Sequence, residues 1–144
     1  NGFCTYVEHL ERVYIVSISV NWGNDLHTII QYDIKGKWTW LEFESALQQS
    51  IIMTLESVST ISEIYDLTYS QPFPEDSLDF WRNAIRVMPE NRGHMVFIGG
   101  GSTVPSLLTV LERIDPAYAD RLHSVDSLNQ AYKLLQYLES KSGV

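Results

Sequence analysis

The sequence predicts an α/β domain built on a single mixed, mostly parallel five-stranded sheet with four helices. The first supporting observation is a repeated change from two-residue apolar alternation to three- and four-residue apolar spacing. The second is the order of these segments, β-β-α-β-α-β-α-β-α. Strands that alternate with helices are joined by right-handed parallel crossovers, so the later strands are expected to be parallel. The two leading strands are expected to add an antiparallel edge.

The antiparallel edge is predicted from two alternating segments, Val13–Val20 and Thr28–Ile34. Each places apolar side chains on one face and polar ones on the other, which is the pattern of a half-buried strand. Between them, residues 21–25 read Asn-Trp-Gly-Asn-Asp, a cluster of turn-forming residues. The pair is therefore expected to be a hairpin with one face toward solvent.

The first helix has the clearest local signal in the chain. Thr39 and Glu42 have the spacing of a capping box, in which the N-cap hydroxyl and the Glu side chain satisfy free N–H groups. Trp38 and Phe43 flank this box at the positions of a hydrophobic staple. We expect the helix to start there and to end near residues 56–59.

The remaining elements follow from periodicity and from proline or glycine breaks. The run His94–Ile98 has no polar alternation, which predicts a strand covered on both faces. Ser124 or Asp126 is expected to cap the last helix. The other predicted elements are a strand at Glu63–Leu67, a helix from 75–77 to Val87, a helix with apolar residues from Val104 to Ile114, a strand at Arg121–Val125 and a last helix with apolar residues from Leu128 to Leu138.

Composition excludes several classes of protein. The 144 residues carry 18 acidic and 10 basic side chains, a formal charge of −8, which disfavours binding of nucleic acid phosphates. A single cysteine, Cys4, allows no disulfide within the chain. No apolar run approaches 18 residues, so no membrane segment is predicted. We expect a cytoplasmic protein.

The length predicts one domain, with residues 1–12 as an extension, 13–139 as the domain and 140–144 as a flexible tail. Because residue 1 is Asn rather than Met, we expect a processed product or part of a longer protein. Neither prediction assigns a function.

Four stretches, in this order and spacing, give the chain a resemblance to the STAS domain, and within it to the SpoIIAA-like group of anti-sigma factor antagonists. The stretches resemble, in turn, the second strand with its turn into the first helix, the central strand, the strand after it and the family's usual ending. They are Tyr32–Thr39, Ile64–Thr68, Met95–Gly99 and Val125–Ala131. The resemblance spans roughly Val13–Leu138 and implies a bacterial regulatory protein without enzymatic activity.

The same resemblance implies a protein partner, such as a kinase or a sigma-factor regulator, and a regulatory phosphorylation site. The family carries a phosphorylated serine before the second helix, and Ser77 is the serine that matches it. The glycines of the family motif are absent here, and an ordinary helix cap is the alternative role for Ser77. The contact surface is expected at Pro72–Arg86, with interface candidates Trp22, Phe73, Asp76 and Trp81. Self-association as a homodimer is left open.

The alternative function is binding of a lipid, nucleotide or anion at the turn formed by Gly99, Gly100, Gly101, Ser102 and Thr103, with nearby aromatic side chains. A glycine-rich turn that enters a helix exposes backbone N–H groups to an anion. The turn lacks the third glycine of a dinucleotide fingerprint and has no phosphate-binding lysine. A mechanical need for a tight turn also explains its glycines.

No catalytic constellation or metal site is predicted. The four histidines, His9, His27, His94 and His123, have no metal-ligand spacing, and packed or edge positions are expected for His94 and His123. No Gly-x-Ser-x-Gly elbow supports nucleophilic catalysis. We therefore predict no cofactor and no catalytic residue.

Overall fold

The computed structural model describes residues 17–142, which form the predicted elements in the predicted order. A short 3-10 helix, Pro116–Tyr118, precedes the last strand. The strands are β1 (Ile18–Trp22), β2 (Ile29–Gly36), β3 (Ile61–Ser70), β4 (Arg92–Gly99) and β5 (Leu122–Val125). The helices are α1 (Trp40–Leu55), α2 (Ser77–Arg86), α3 (Thr103–Ile114) and α4 (Leu128–Ser142).

The strands form one mixed sheet in sequential order, β1-β2-β3-β4-β5. β1 is antiparallel to β2, and the other three pairings are parallel, as predicted. Helices α1, α2 and α3 contribute buried residues to a large core on one face of the sheet. α4 covers the opposite face, where Ala131 and Leu135 pack against Ile64, Val96 and Ile98. Three helices thus share one face and one helix serves the other.

The predicted start of α1 is confirmed. The Glu42 backbone N–H donates to the Thr39 hydroxyl at 3.2 Å, and Thr39 occupies the N-cap in an extended conformation. The staple is formed as well, with the rings of Trp38 and Phe43 centred 5.3 Å apart. These contacts fix where the chain leaves β2 and begins to cover the sheet.

The first four strands each extend beyond a predicted end. β3 extends from Ile61 to Ser70 because it lies in the middle of the sheet and is paired on both sides. β1 includes Asn21 and Trp22, predicted as turn, because they pair with Gln31 and Ile30. The first part of the strand predicted at Val13–Val20 lies outside the described residues.

The last helix differs from its prediction at both ends. Its first turn is capped by the Ser127 hydroxyl, which accepts from the Gln130 N–H at 3.1 Å, rather than by Ser124 or Asp126. α4 then runs to Ser142, so part of the expected tail is helical. The burial of β4 agrees with its prediction, since all residues from Met95 to Ile98 are fully buried.

Candidate functional site

Helix α1 has apolar side chains on two sides. Its core side carries buried residues such as Phe43 and Leu47. Its outer side exposes Leu41, Ile52 and Leu55, with exposed fractions of 77, 58 and 66%. Eleven and three residues separate these positions, which places them on one side of a helix with 3.6 residues per turn. This second apolar side has no covering element among the described residues.

A groove of about 410 Å³ lies beside this outer side, between α1 and α2. Leu47 and Ile51 form one wall, while Phe80, Ala84 and Val87 form the other. Val87 is 60% exposed at the end of α2, and Val58, after α1, is fully exposed. We call the exposed side chains of α1, the groove and these two valines the α1–α2 surface. Large exposed apolar side chains grouped beside a groove are a feature of interaction sites.

Aromatic packing holds the two helices of this surface at a fixed separation. The Trp40 and Phe80 rings are stacked with centroids 4.4 Å apart. The Trp40 indole N–H donates to the Glu75 carbonyl at 2.6 Å, which ties α1 to the loop before α2. Phe73 from the same loop packs against both Trp38 and Trp40, with centroids 5.8 Å away in each case. These contacts join α1, α2 and the loop before α2 at this end of the groove.

The predicted interface residues occupy different environments. Trp81 is fully buried, with its ring against Phe43, Tyr65 and Phe97, so it belongs to the core rather than to a surface. Phe73 is half-buried in the aromatic cluster. Trp22 is half-buried at the end of β1, where its ring stacks on that of His27 with centroids 4.5 Å apart. Of the four candidates, only Asp76 is exposed, at the N-cap of α2.

Ser77 is the first residue of α2 rather than its cap. Asp76 holds the N-cap position with φ of 67° and makes no side-chain capping bond. Ser77 itself is half-buried, one helical turn before Phe80 of the groove. The predicted phosphorylation site is therefore next to the α1–α2 surface. A phosphate on Ser77 would lie one helical turn from Phe80 in the groove.

The glycine turn lies at the carboxyl end of β4. Gly99, Gly100 and Gly101 have φ values of 73°, 81° and 63°, in the left-handed region. A cavity of about 430 Å³ separates this turn from residues 67–73 that follow β3. Ser102, at the N-cap of α3, makes no side-chain capping bond. Ligand binding here stays a prediction, because none of the residues that line this cavity has a buried polar side chain without a hydrogen-bond partner.

Gly100→Ala is expected to lower the free energy of unfolding by roughly 1–3 kcal/mol. An added Cβ would lie 2.4 Å from Cγ2 of Val104, and the left-handed φ adds strain. Gly101→Ala is the matched control, since its φ is similar but its Cβ would meet nothing within 4 Å. Urea unfolding of the three proteins measures the difference. Equal losses in the two variants would contradict the close approach to Val104.

A buried ion pair lies under the helices, between Glu63 of β3 and Arg92 of β4. Both side chains are fully buried. A bulge allows this pairing: Ile61 faces Arg92 and Glu63 faces Met95, so β4 has one extra residue and Arg92 points to the core side. The extra residue is accommodated at Gly93, where a Cβ would lie 2.8 Å from the Ser62 hydroxyl.

Tyrosine hydroxyls complete this buried network. The Tyr65 hydroxyl donates to Glu63, and the Tyr32 hydroxyl donates to Ser50. Burial raises the pKa of both tyrosines well above the ordinary value, and the Glu63 carboxylate raises it further. Both phenols are therefore neutral donors at ordinary pH. Burial opposes the charge of Arg92, but the Glu63 carboxylate holds its pKa above the usual value.

A histidine pair lies on the other face of the sheet. Nδ1 of His94 and Nε2 of His123 are 2.9 Å apart, so one ring donates to the other. Burial lowers the pKa of His94, and the Arg121 guanidinium lowers it further. Burial also lowers the pKa of His123, with a smaller contribution from His94. The Asp120 carbonyl and carboxylate oppose these shifts at both rings.

This pair is expected to make the fold less stable in mild acid. Both folded-state pKa values lie below the ordinary value of 6.5, so the unfolded chain binds protons first as the pH falls. Stability is retained above about pH 6.5 and declines as the pH falls below it. The comparison is chemical unfolding of the wild type and His94→Gln/His123→Gln at about pH 7.5 and 5.5. Between these two pH values, the double variant should lose less stability than the wild type. An equal loss in the two proteins would contradict the assignment of this pH dependence to the histidine pair.

Within residues 17–142, no helix is both long and apolar enough to cross a bilayer. In the same range, no three His, Cys, Asp or Glu side chains are arranged to hold a metal ion. Comparison of the chain with models of protein families, with curated proteins and with solved structures finds no match. The sheet and helices thus define an α/β domain.

Proposed function

We propose that this chain is a non-enzymatic protein-interaction domain that binds its partner through the α1–α2 surface. The observation that carries the proposal is the outer apolar side of α1, formed by Leu41, Ile52 and Leu55. Large exposed apolar side chains cost free energy in water, and these lie on the helix that forms one wall of the groove. Partner helices commonly dock in such grooves.

The resemblance to STAS domains of the SpoIIAA-like group supports the same class of function. The element order β-β-α-β-α-β-α-β-α is the one that the resemblance implies. The proposal accordingly includes a bacterial, cytoplasmic protein whose partner is a kinase or a sigma-factor regulator. This part of the proposal rests on the resemblance alone.

Under this proposal, a phosphate on Ser77 regulates partner binding. Its position at the start of α2 favours a negative charge, whereas Glu75, Asp76 and Asp79 oppose one. The added charge would lie one turn from Phe80 in the groove, where it disfavours an apolar contact. Ser77→Asp is expected to reduce partner capture, and Ser77→Ala is expected to retain it.

The proposal is tested by affinity capture with the wild type, Leu55→Glu and Ile114→Glu. Leu55 and Ile114 are the last residues of α1 and α3, and both are exposed, at 66 and 42%. Each substitution adds one carboxylate at a helix carboxyl end, so its effect on the helix dipole is matched. We expect a protein bound by the wild type and Ile114→Glu to be lost with Leu55→Glu. Identical captured proteins in all three samples would overturn the proposal.

A further inference from the structure

The histidine pair on the face of the sheet that α4 covers brings two imidazole nitrogens close together. His94 lies in β4 and His123 in β5, and the register places His123 opposite Val96, so the two histidines are diagonal neighbours on one face. The backbone beside each ring is held by the sheet, since the Met95 N–H donates to the Arg121 carbonyl at 2.7 Å. The separation of the two rings is therefore set by the pairing of β4 with β5.

We propose that His94 and His123 bind one divalent transition-metal ion, Ni²⁺ or Cu²⁺, between Nδ1 of His94 and Nε2 of His123. These two nitrogens are 2.9 Å apart. With metal–nitrogen bonds of about 2.0–2.1 Å, this separation gives an angle of about 90° at the metal ion. Neighbouring ligands in square-planar and octahedral coordination have this angle, whereas tetrahedral Zn²⁺ needs nitrogens about 3.3 Å apart.

The two rings need only a small rotation to share a metal ion. Their centroids are 5.0 Å apart, so the two nitrogens point nearly at each other, as in a hydrogen bond. A rotation of each ring by roughly 20° turns both lone pairs toward one point beside the pair, and the second side-chain torsion of histidine is soft enough to allow it. The ring that donates the hydrogen bond then carries its proton on its other nitrogen. The metal ion thus takes the place of the shared proton, and two neutral histidines lose no proton overall.

The Asp120 carbonyl suits the N–H groups that remain on the two rings. It acts as a backbone acceptor toward both histidines and opposes the lowering of both pKa values. A histidine that binds a metal commonly donates its other ring N–H to a carbonyl or carboxylate, which fixes the ring and its tautomer. Burial lowers the pKa of both rings, so both are neutral and able to bind a metal ion at about pH 7.5.

A surface cavity of about 440 Å³ gives solvent and metal ions access to His94. The charged residues that line this cavity are Glu90, Arg92, Asp120, Arg121 and Glu139. Arg92 is neutralised by Glu63, so acidic residues outnumber Arg121 by three to one. This excess of negative charge favours a divalent cation, and water from the cavity completes its coordination.

The first test is calorimetric titration of the full chain with NiCl₂ at about pH 7.5, after removal of metals with a chelator. We expect Ni²⁺ to bind one-to-one, and at least about tenfold more weakly to His94→Gln and to His123→Gln, because loss of an outer-shell partner alone already costs this much. His27→Asn is the matched control, since His27 is exposed and Asn tolerates its φ of 54°. This variant should bind Ni²⁺ as the wild type does. Thermal unfolding in the presence of chelator shows whether each variant is folded.

The second test uses Cu²⁺ to identify the ligands. The electron paramagnetic resonance spectrum of the one-to-one Cu²⁺ complex should show a tetragonal site with coupling to imidazole nitrogens, and His94→Gln/His123→Gln should abolish this signal. A wild type that binds Ni²⁺ no more tightly than the double variant overturns the site. Tighter binding of Zn²⁺ than of Ni²⁺ overturns the assignment of the metal. The pair lies on the face of the sheet opposite to the α1–α2 surface, so neither result bears on the proposed function.

Discussion

Replacing Arg92 with Met is expected to lower the free energy of unfolding by about 3–5 kcal/mol. The variant leaves the Glu63 carboxylate in the core without its counter-charge, since both side chains are fully buried. An uncompensated buried charge costs far more than a lost surface ion pair, because no water solvates it. Urea unfolding monitored by circular dichroism measures the loss.

The control for this prediction removes both charges. Glu63→Gln/Arg92→Met keeps an oxygen that can accept from the Tyr65 hydroxyl, and it leaves no isolated charge. The double variant should therefore be more stable than Arg92→Met alone, although it lacks one more native side chain. The free energy of unfolding is also measured for Glu63→Gln alone. If the loss in the double variant equals the sum of the losses in Glu63→Gln and Arg92→Met, Glu63 and Arg92 do not stabilise each other.

Trp81→Ala is expected to cost about 3–5 kcal/mol as well, for a different reason. The Trp81 ring is fully buried, and its centroid lies 5.2 to 5.4 Å from those of Phe43, Phe97 and Tyr65. Removal of the indole leaves a cavity beneath α2 that these rings cannot close. The same denaturant titration detects it as a lower midpoint.

Trp81→Phe separates ring packing from the indole N–H. Nε1 of Trp81 is buried with no hydrogen-bond partner among the described atoms, so its loss removes an unpaired donor. The Phe variant should therefore lose less than the Ala variant. A Trp81→Ala protein with wild-type stability but impaired partner binding would instead return Trp81 to the contact surface that the family resemblance implies at Pro72–Arg86.

The sequence predicted an element well where the residues that determine it lie close together in the chain. The cap of α1 depends on Thr39 and Glu42, three residues apart: the Thr39 hydroxyl accepts from the Glu42 N–H as expected, whereas the Glu42 carboxylate accepts from the Thr39 hydroxyl rather than from its backbone N–H. The buried run from Met95 to Ile98 needs only its own composition to predict a covered strand. The length of β3 could not be predicted in this way, because its ends are fixed by pairing with β2 and β4.

The ion pair was missed because it depends on a bulge between two strands. Arg92 lies in a segment that reads as a loop, and only the extra residue in β4 turns its side chain toward Glu63. The α1–α2 surface did leave a signal in the neighbours Trp40-Leu41 and Ile51-Ile52. Consecutive helical residues point about 100° apart, so such pairs cannot all face one narrow core stripe.

The lone helix on the second face of the sheet has a consequence for the order of folding during synthesis. The Tyr132 hydroxyl of α4 contacts the Gly23 carbonyl and the Gln31 side chain, at 2.9 and 2.8 Å, from more than 100 positions further along the chain. Contacts of such long sequence separation form late. The second face of the β1–β2 hairpin therefore stays uncovered on the ribosome until almost all of residues 17–142 have emerged.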